Sequence, residues 1–213
     1  MSMHYEALDE KRLAILPALG AFKKDFYLAG GTALALQLGH RVSVDFDFFT
    51  ERDFETEELY ERIQKVFGEV TLTQESSNTL AIVVQDDMRI SFMKYRYPLL
   101  DACVDTEHLR LASILDIGCM KLSTIVSRAE LKDYVDLFFI LKHISLTKLL
   151  IDLAKKIPSL DQIFVMKALV SFDDIAVEPI DFIKGNEVTL GKIRETIVKS
   201  VRSVPLGFIK MEI

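Results

Sequence analysis

Cysteine and histidine are scarce in this chain. Its 213 residues include only Cys103 and Cys119, neither in a C-x-x-C pair, and His4, His40, His108 and His143 are scattered. No zinc-ligand spacing results, and both cysteines are expected to be small, buried and reduced. No apolar run approaches eighteen residues, so no membrane span is expected. Positive charge is also in short supply: 26 Lys and Arg stand against 32 Asp and Glu, a net charge of −6. A sequence-indifferent nucleic-acid coat protein would be basic, whereas an enzyme touching RNA through one local patch remains compatible. The opening MSMHYEALDEKR is polar and lacks a signal-peptide core, which leads to the expectation of a cytoplasmic protein. Internal repeats and low-complexity tracts are missing as well.

Hydrophobic residues make up 50% of the chain and charged residues 27%, enough for one large domain or two small ones. Residues 5–20 carry leucines and an isoleucine at helical spacing, with Pro17 arguing for a break or kink near the end. FYLAGG is a short apolar run closed by two glycines, and TALALQL reads as a helix ending at Gly39. SVDFDFFT alternates with period two, the mark of a strand. An amphipathic helix fits residues 55–67. Strands fit 69–74, 79–85 and 88–95, with a turn at Asp86-Asp87. From about residue 107 strand alternation ceases. Two helices with a joint near Ser127–Leu131 are followed by helical stretches at 145–156, 160–170 and 187–202. The expectation is an α+β N-terminal part, residues 1–108, followed by a helical part, residues 109–213.

Gly30-Gly31-Thr32 follow a strand and open a helix. Two glycines let backbone approach a ligand closely, and N–H groups at a helix start favour a phosphate. The Thr32 hydroxyl adds a donor or a cap. Asp45 and Asp47, two apart on a predicted strand, fall on one face, while Val44, Phe46 and Phe48 point into a core. Adjacent like charges repel. Either the strand is solvated, or a divalent cation sits between them; Mg²⁺ commonly binds one or two carboxylates plus substrate phosphates. Fourteen positions separate Gly31 from Asp45, so a phosphate cradle and a metal site share one strand–turn–helix–strand unit. Downstream, Lys121, Arg128 and Lys132 are spaced by seven and four. On one uninterrupted helix they would fall within a sector of about 40°. Such a basic stripe suits a triphosphate, or is an ordinary solvated face paired with Glu130, Asp133 and Asp136. His40 and Arg41 fall in the loop before the acids, where either could reach substrate but exposure alone explains them; Phe138 and Phe139 read as core.

The paired small residues followed by hDxDh resemble the nucleotidyltransferase superfamily. More narrowly, AGGTALALQLGHRVSVDFDFF is similar to the AbiEii/AbiGii-type nucleotidyltransferase toxin family, with its GGTAL and SxDxDhF stretches. DIGCMKLSTIVSRAELKDYVDLFFIL resembles that family's downstream block, so the likeness spans about residues 26–142. It implies a nucleotidyltransferase-like mixed sheet with flanking helices, and a helical part that completes the active-site cleft. It also implies Mg²⁺ or Mn²⁺ on Asp45 and Asp47, and transfer of a nucleoside monophosphate from an NTP to a tRNA 3′ end or a protein hydroxyl. Lys121 would contact nucleotide phosphate, with Arg128, Lys132, Asp133 and Asp136 completing the site. Asp136 would hold Lys121 or Arg128, or bear on metal or substrate. Ser43 matches the family serine and would bond either backbone or phosphate. A cognate antitoxin is the implied partner.

One departure stands out. Many polymerase-like relatives carry a third carboxylate on a later strand, and MRISFMKY offers Ser91 instead. Asp86 and Asp87 fall in the turn before it, and Asp101 comes after Pro98. The alternative is therefore a non-catalytic nucleotide-binding or interaction module on the same fold.

Overall fold

The structure, a computed structural model, describes residues 3–173, 175–176 and 178–205. Met1 and Ser2 of the polar opening stretch lie outside them. Two compact units divide the chain, Met1–Ser113 and Ile114–Ile213. Among the described residues no helix is long and apolar enough to cross a membrane.

The N-terminal unit is α+β. Its elements are α1 (Glu10–Leu19), β1 (Tyr27–Ala29), α2 (Gly30–Leu38), β2 (Phe46–Thr50), α3 (Thr56–Phe67), β3 (Thr71–Ser76), β4 (Thr79–Val84), β5 (Met88–Lys94), β6 (Val104–Asp105) and β7 (Arg110–Leu111). The sheet runs β3-β4-β5-β2-β1-β7-β6 and is mixed: β2 pairs parallel with β5 and antiparallel with β1. α1 begins later than the spacing predicts because Asp9 caps it, accepting from the Arg12 N–H. Pro17 is accommodated in its last turn. β6 and β7 are too short to show alternation. Leu111 of β7 pairs with Leu28, and the Ala112 N–H donates to the Leu28 carbonyl, so residues 109–113 belong with the sheet rather than opening the helical part.

Period two on β2, β4 and β5 buries one face. Phe48 pairs with Phe92 in register and their rings stack 5.2 Å apart, while Phe22 and Phe26 each meet Phe92 at 5.1 Å. Burying each such side chain stabilises by about 1.5–3 kcal/mol. α2 is buried from Thr32 through Gln37, which suits its apolar sequence. Gln37, its polar member, is satisfied by donating to the carbonyls of Ala33 at 2.9 Å and Ala112 at 3.0 Å. Gly39, at φ 61°, closes α2 in the left-handed conformation that glycine tolerates best.

The second unit holds α4 (Ile114–Ser127), α5 (Leu131–Ile140), α6 (Leu146–Lys156), α7 (Gln162–Leu169) and α8 (Leu190–Arg202), matching the helical stretches read from the sequence to within a few residues. α4 packs against α5, α6 and α7. Gly118 permits the close approach: a Cβ there would lie 2.7 Å from Leu149 of α6 and 3.3 Å from Ile140 of α5.

Candidate active site

Within the N-terminal unit, the turn from β1 into α2 requires φ +69° at Gly30, a conformation that L side chains rarely adopt. Asp47 pairs with Ala29 of β1 on one side and Ser91 of β5 on the other, and the pairing with β5 stops at Phe46 with Ile90. Asp45 therefore lies just before β2 and not on it, a correction to the two-residue strand pair. Instead of a ladder bond, its carbonyl accepts the Thr32 hydroxyl. The Thr32 and Ser43 hydroxyls hydrogen-bond at 2.9 Å, both buried. Thr32 and Ser43 thus fix the acid-bearing loop to the start of α2.

Asp45 and Asp47 are both half-buried, while Phe46 and Phe48 are in the core as expected. Val44 is not: it is 45% exposed, because it precedes the strand, and its carbonyl accepts from Arg12 Nε at 2.6 Å. Asp47 is framed from two directions. Ser91, its register partner on β5, donates from Oγ to Asp47 Oδ1 at 2.5 Å. A Cβ on Gly30 would stand 3.2 Å from Asp47 Oδ2. The space beside Gly31 is filled as well, by the Arg41 guanidinium, with Ser43 Oγ 3.2 Å from an added Cβ. Exposure does not explain His40 and Arg41 after all: both are buried, Arg41 at 6%. The sequence allowed that Arg41 reaches substrate but did not show its burial. A large cation directly before an acid pair and after a glycine-closed helix was the available signal.

Among the described residues, no group of three or more His, Cys, Asp or Glu is placed to hold an ion. Asp45 and Asp47 would supply two oxygen donors of the kind Mg²⁺ prefers, the rest coming from water and substrate phosphates.

In the C-terminal unit the expected stripe is broken. α4 ends at Ser127 and α5 starts at Leu131, so Lys121, Arg128 and Lys132 do not share one helix face. Lys121 is buried, with its Nζ 2.7 Å from Asp133 Oδ1 and 2.5 Å from Asp136 Oδ2. Both carboxylates are fully buried. Burial pushes the Lys121 pKa down, but the charges of Asp136 and Asp133 and their hydrogen bonds outweigh it, holding the ammonium above its ordinary value. Arg128, about half exposed, donates from Nε to Asp133 Oδ2 at 3.0 Å. Lys132 turns to Glu130 at 3.0 Å. The acids that might have been solvated helix partners are in fact the centre of a buried ion cluster.

The fold is shared with solved structures. MenT4, a nucleotidyltransferase toxin from Mycobacterium tuberculosis, is similar in structure with a TM-score of 0.61 at 15% identity, covering 93% of this chain and 85% of that one. JHP933 from Helicobacter pylori gives 0.55 at 17% identity, covering 94% and 90%. In sequence, residues 14–100 match the family described as nucleotidyl transferase AbiEii toxin, type IV TA system. An uncharacterized Aquifex aeolicus protein, aq_aa25, is 41% identical over 160 residues, 72% of this chain and 77% of that protein. The chain belongs to the AbiEii nucleotidyltransferase toxin family.

Proposed function

We propose that this protein transfers a nucleoside monophosphate from an NTP to a hydroxyl acceptor, and that Asp45 and Asp47 hold the divalent cation the reaction needs. The observation that carries this reading is the framing of Asp47. A serine and a glycine fix its carboxylate beside a helix start whose Ala29 cap makes no side-chain bond. Fixing a carboxylate in this way costs conformational freedom that a solvated surface acid would keep.

The acceptor oxygen forms a bond to the α-phosphorus, the bond from that phosphorus to the β-bridging oxygen breaks, and pyrophosphate departs. The acceptor hydroxyl proton passes to solvent or to a carboxylate. Mg²⁺ or Mn²⁺, when bound, neutralises phosphate charge and orients the attacking hydroxyl. Gly30 and Gly31 bring backbone N–H groups close to the triphosphate, while Thr32 and Ser43 hold the acid loop against α2. Among the C-terminal residues that the resemblance implicates, Lys121, Asp133 and Asp136 form the buried framework. Arg128 and Lys132 keep exposed surface with which to meet an anion. Family membership supports a toxin role with a cognate antitoxin, and a tRNA 3′ end or a protein as acceptor.

The non-catalytic alternative has one specific observation in its favour, the serine at the strand position where relatives carry a third acid. Incubation with Mg²⁺, each α-labelled NTP, total tRNA and a protein extract separates the readings. Label sensitive to RNase or to protease identifies a transferase and its acceptor class. NTP binding without label on either supports the non-catalytic module.

A further inference from the structure

The two faces of the sheet differ along β2, β4 and β5. Phe46, Phe48, Leu80, Ile82, Ile90 and Phe92 form the core face and are all but fully buried. The positions alternating with them are half-buried or exposed. On that open face the register sets side chains in rows. Asp47 is level with Ser91 of β5 and, beyond it, Ala81 of β4; Phe49 is level with Met93 and Thr79. Two residues along a strand span about 7 Å, so the second row stands about as far from the acid row as a ribose holds a base from its phosphate. The Phe49 ring is braced by two others, stacking on Tyr27 at 6.1 Å and meeting Tyr95 edge-on at 6.0 Å. The two ends of this face are unlike. Toward the start of β2 lie the Gly30 turn and the exposed Arg89, which precedes the Ile90 that pairs with Phe46. Toward its end lie Phe49 and Met93. Backbone N–H groups and a cation suit phosphates, whereas an aromatic ring and an adaptable thioether suit a flat apolar group. Asp47, the proposed metal ligand, stands between the two.

We infer that Phe49, with Met93 beside it, is the subsite for the nucleobase of the NTP, whose phosphates extend from Asp47 toward the Gly30 turn. The inference rests on the nucleotidyltransferase reading and adds to it the residue that separates a nucleotide from a bare polyphosphate. Every base has a π-face, so Phe49 sets affinity for nucleotides as a class more than choice among the four.

The test is equilibrium binding of each NTP and of inorganic tripolyphosphate, both with Mg²⁺ and without acceptor. Wild type is compared with Phe49→Ala, Phe49→Leu and Phe49→Tyr, and Tm is recorded for each. Phe49→Ala is expected to weaken NTP binding by about 5- to 100-fold, the loss of one base–aromatic stack, with tripolyphosphate binding changed less than about twofold. Phe49→Leu keeps an apolar side chain without the ring and is expected to show the same selective loss to a smaller extent. Phe49→Tyr keeps the ring and is expected to bind NTP within about threefold of wild type. If Phe49→Ala fails to fold, the leucine and tyrosine variants carry the same comparison. Equal loss of NTP and tripolyphosphate accompanied by a fall in Tm would show a merely structural ring and overturn the inference. NTP affinity unchanged by loss of the ring overturns it alone, and a rise confined to the KM of the acceptor would then assign the ring to an acceptor base. A wild-type protein that binds no NTP overturns the nucleotide reading and this inference with it.

Discussion

Ser91 donates its hydroxyl to Asp47 across the β2–β5 register at 2.5 Å, so β5 supports this acid with a serine. The hydrogen bond fixes one carboxylate oxygen. Ser91→Ala is expected to lower the transfer rate by about 10-fold or more, in the range seen when residues supporting a metal ligand are removed. Stability should change by only about 1 kcal/mol. Steady-state kinetics beside thermal unfolding checks both, and an unchanged rate would remove Ser91 from the positioning of Asp47.

Gly30 and Gly68 form a natural pair of variants. Both have positive φ, 69° and 77°, but a Cβ meets Asp47 at Gly30 and nothing within 4 Å at Gly68. Alanine is strained at both sites by the positive φ, and at Gly68, where ψ is −130°, the backbone lies in a region essentially restricted to glycine. Only Gly30→Ala should also abolish transfer, by crowding the Asp47 carboxylate. Equal activity in the two variants, measured at matched folded fraction, would contradict the close approach.

The Lys121–Asp133–Asp136 cluster carries a stability expectation with a definite pH sign. Lys121→Met removes the buried cation shared by Asp133 and Asp136, leaving Asp133 its Arg128 bond, and should cost about 3–5 kcal/mol. A lysine whose folded pKa is raised contributes fully below its unfolded pKa and loses that contribution only as pH rises through the folded value. The wild-type advantage over Lys121→Met should therefore be the same at pH 7 and pH 9 in urea unfolding. A marked decline by pH 9 would place the ammonium in a far less favourable setting.

The two thiols should differ sharply. Burial pushes Cys119 up to about 12, with Lys156 opposing and Asp116 reinforcing the shift, whereas Cys103 is only half-buried. A thiolate reagent at pH 8 is expected to modify Cys103 in the native protein and Cys119 only on unfolding. Rapid modification of both would show that α4 opens readily.

Much of this architecture was legible from patterning. Helix and strand order followed from periodicity, because α4 through α8 are long and β2, β4 and β5 bury one face each. β6 and β7 escaped because two residues cannot show a period. The Gly-Gly and Asp-x-Asp elements were visible as a spacing, but their geometry was not. Asp45 left the strand because pairing with β5 stops at Phe46, a fact of register that a single strand's alternation does not contain. Arg41 was misjudged for a related reason, whereas the expected hold of Asp136 on Lys121 is present at 2.5 Å. Burial of a long cation depends on which carboxylates and backbone groups the fold brings to it, whereas the joint near Ser127–Leu131 was itself legible.

The most direct test of the proposed chemistry compares α- and γ-labelled NTP on wild type and on an Asp45→Asn/Asp47→Asn double variant with Mg²⁺ and total tRNA or protein extract present. The expected result is stable acceptor label from the α-position only, pyrophosphate in equal amount, and neither from the folded double variant. Acceptor label from the γ-position, or full transfer by the double variant, would contradict nucleotidyl transfer at this acid pair.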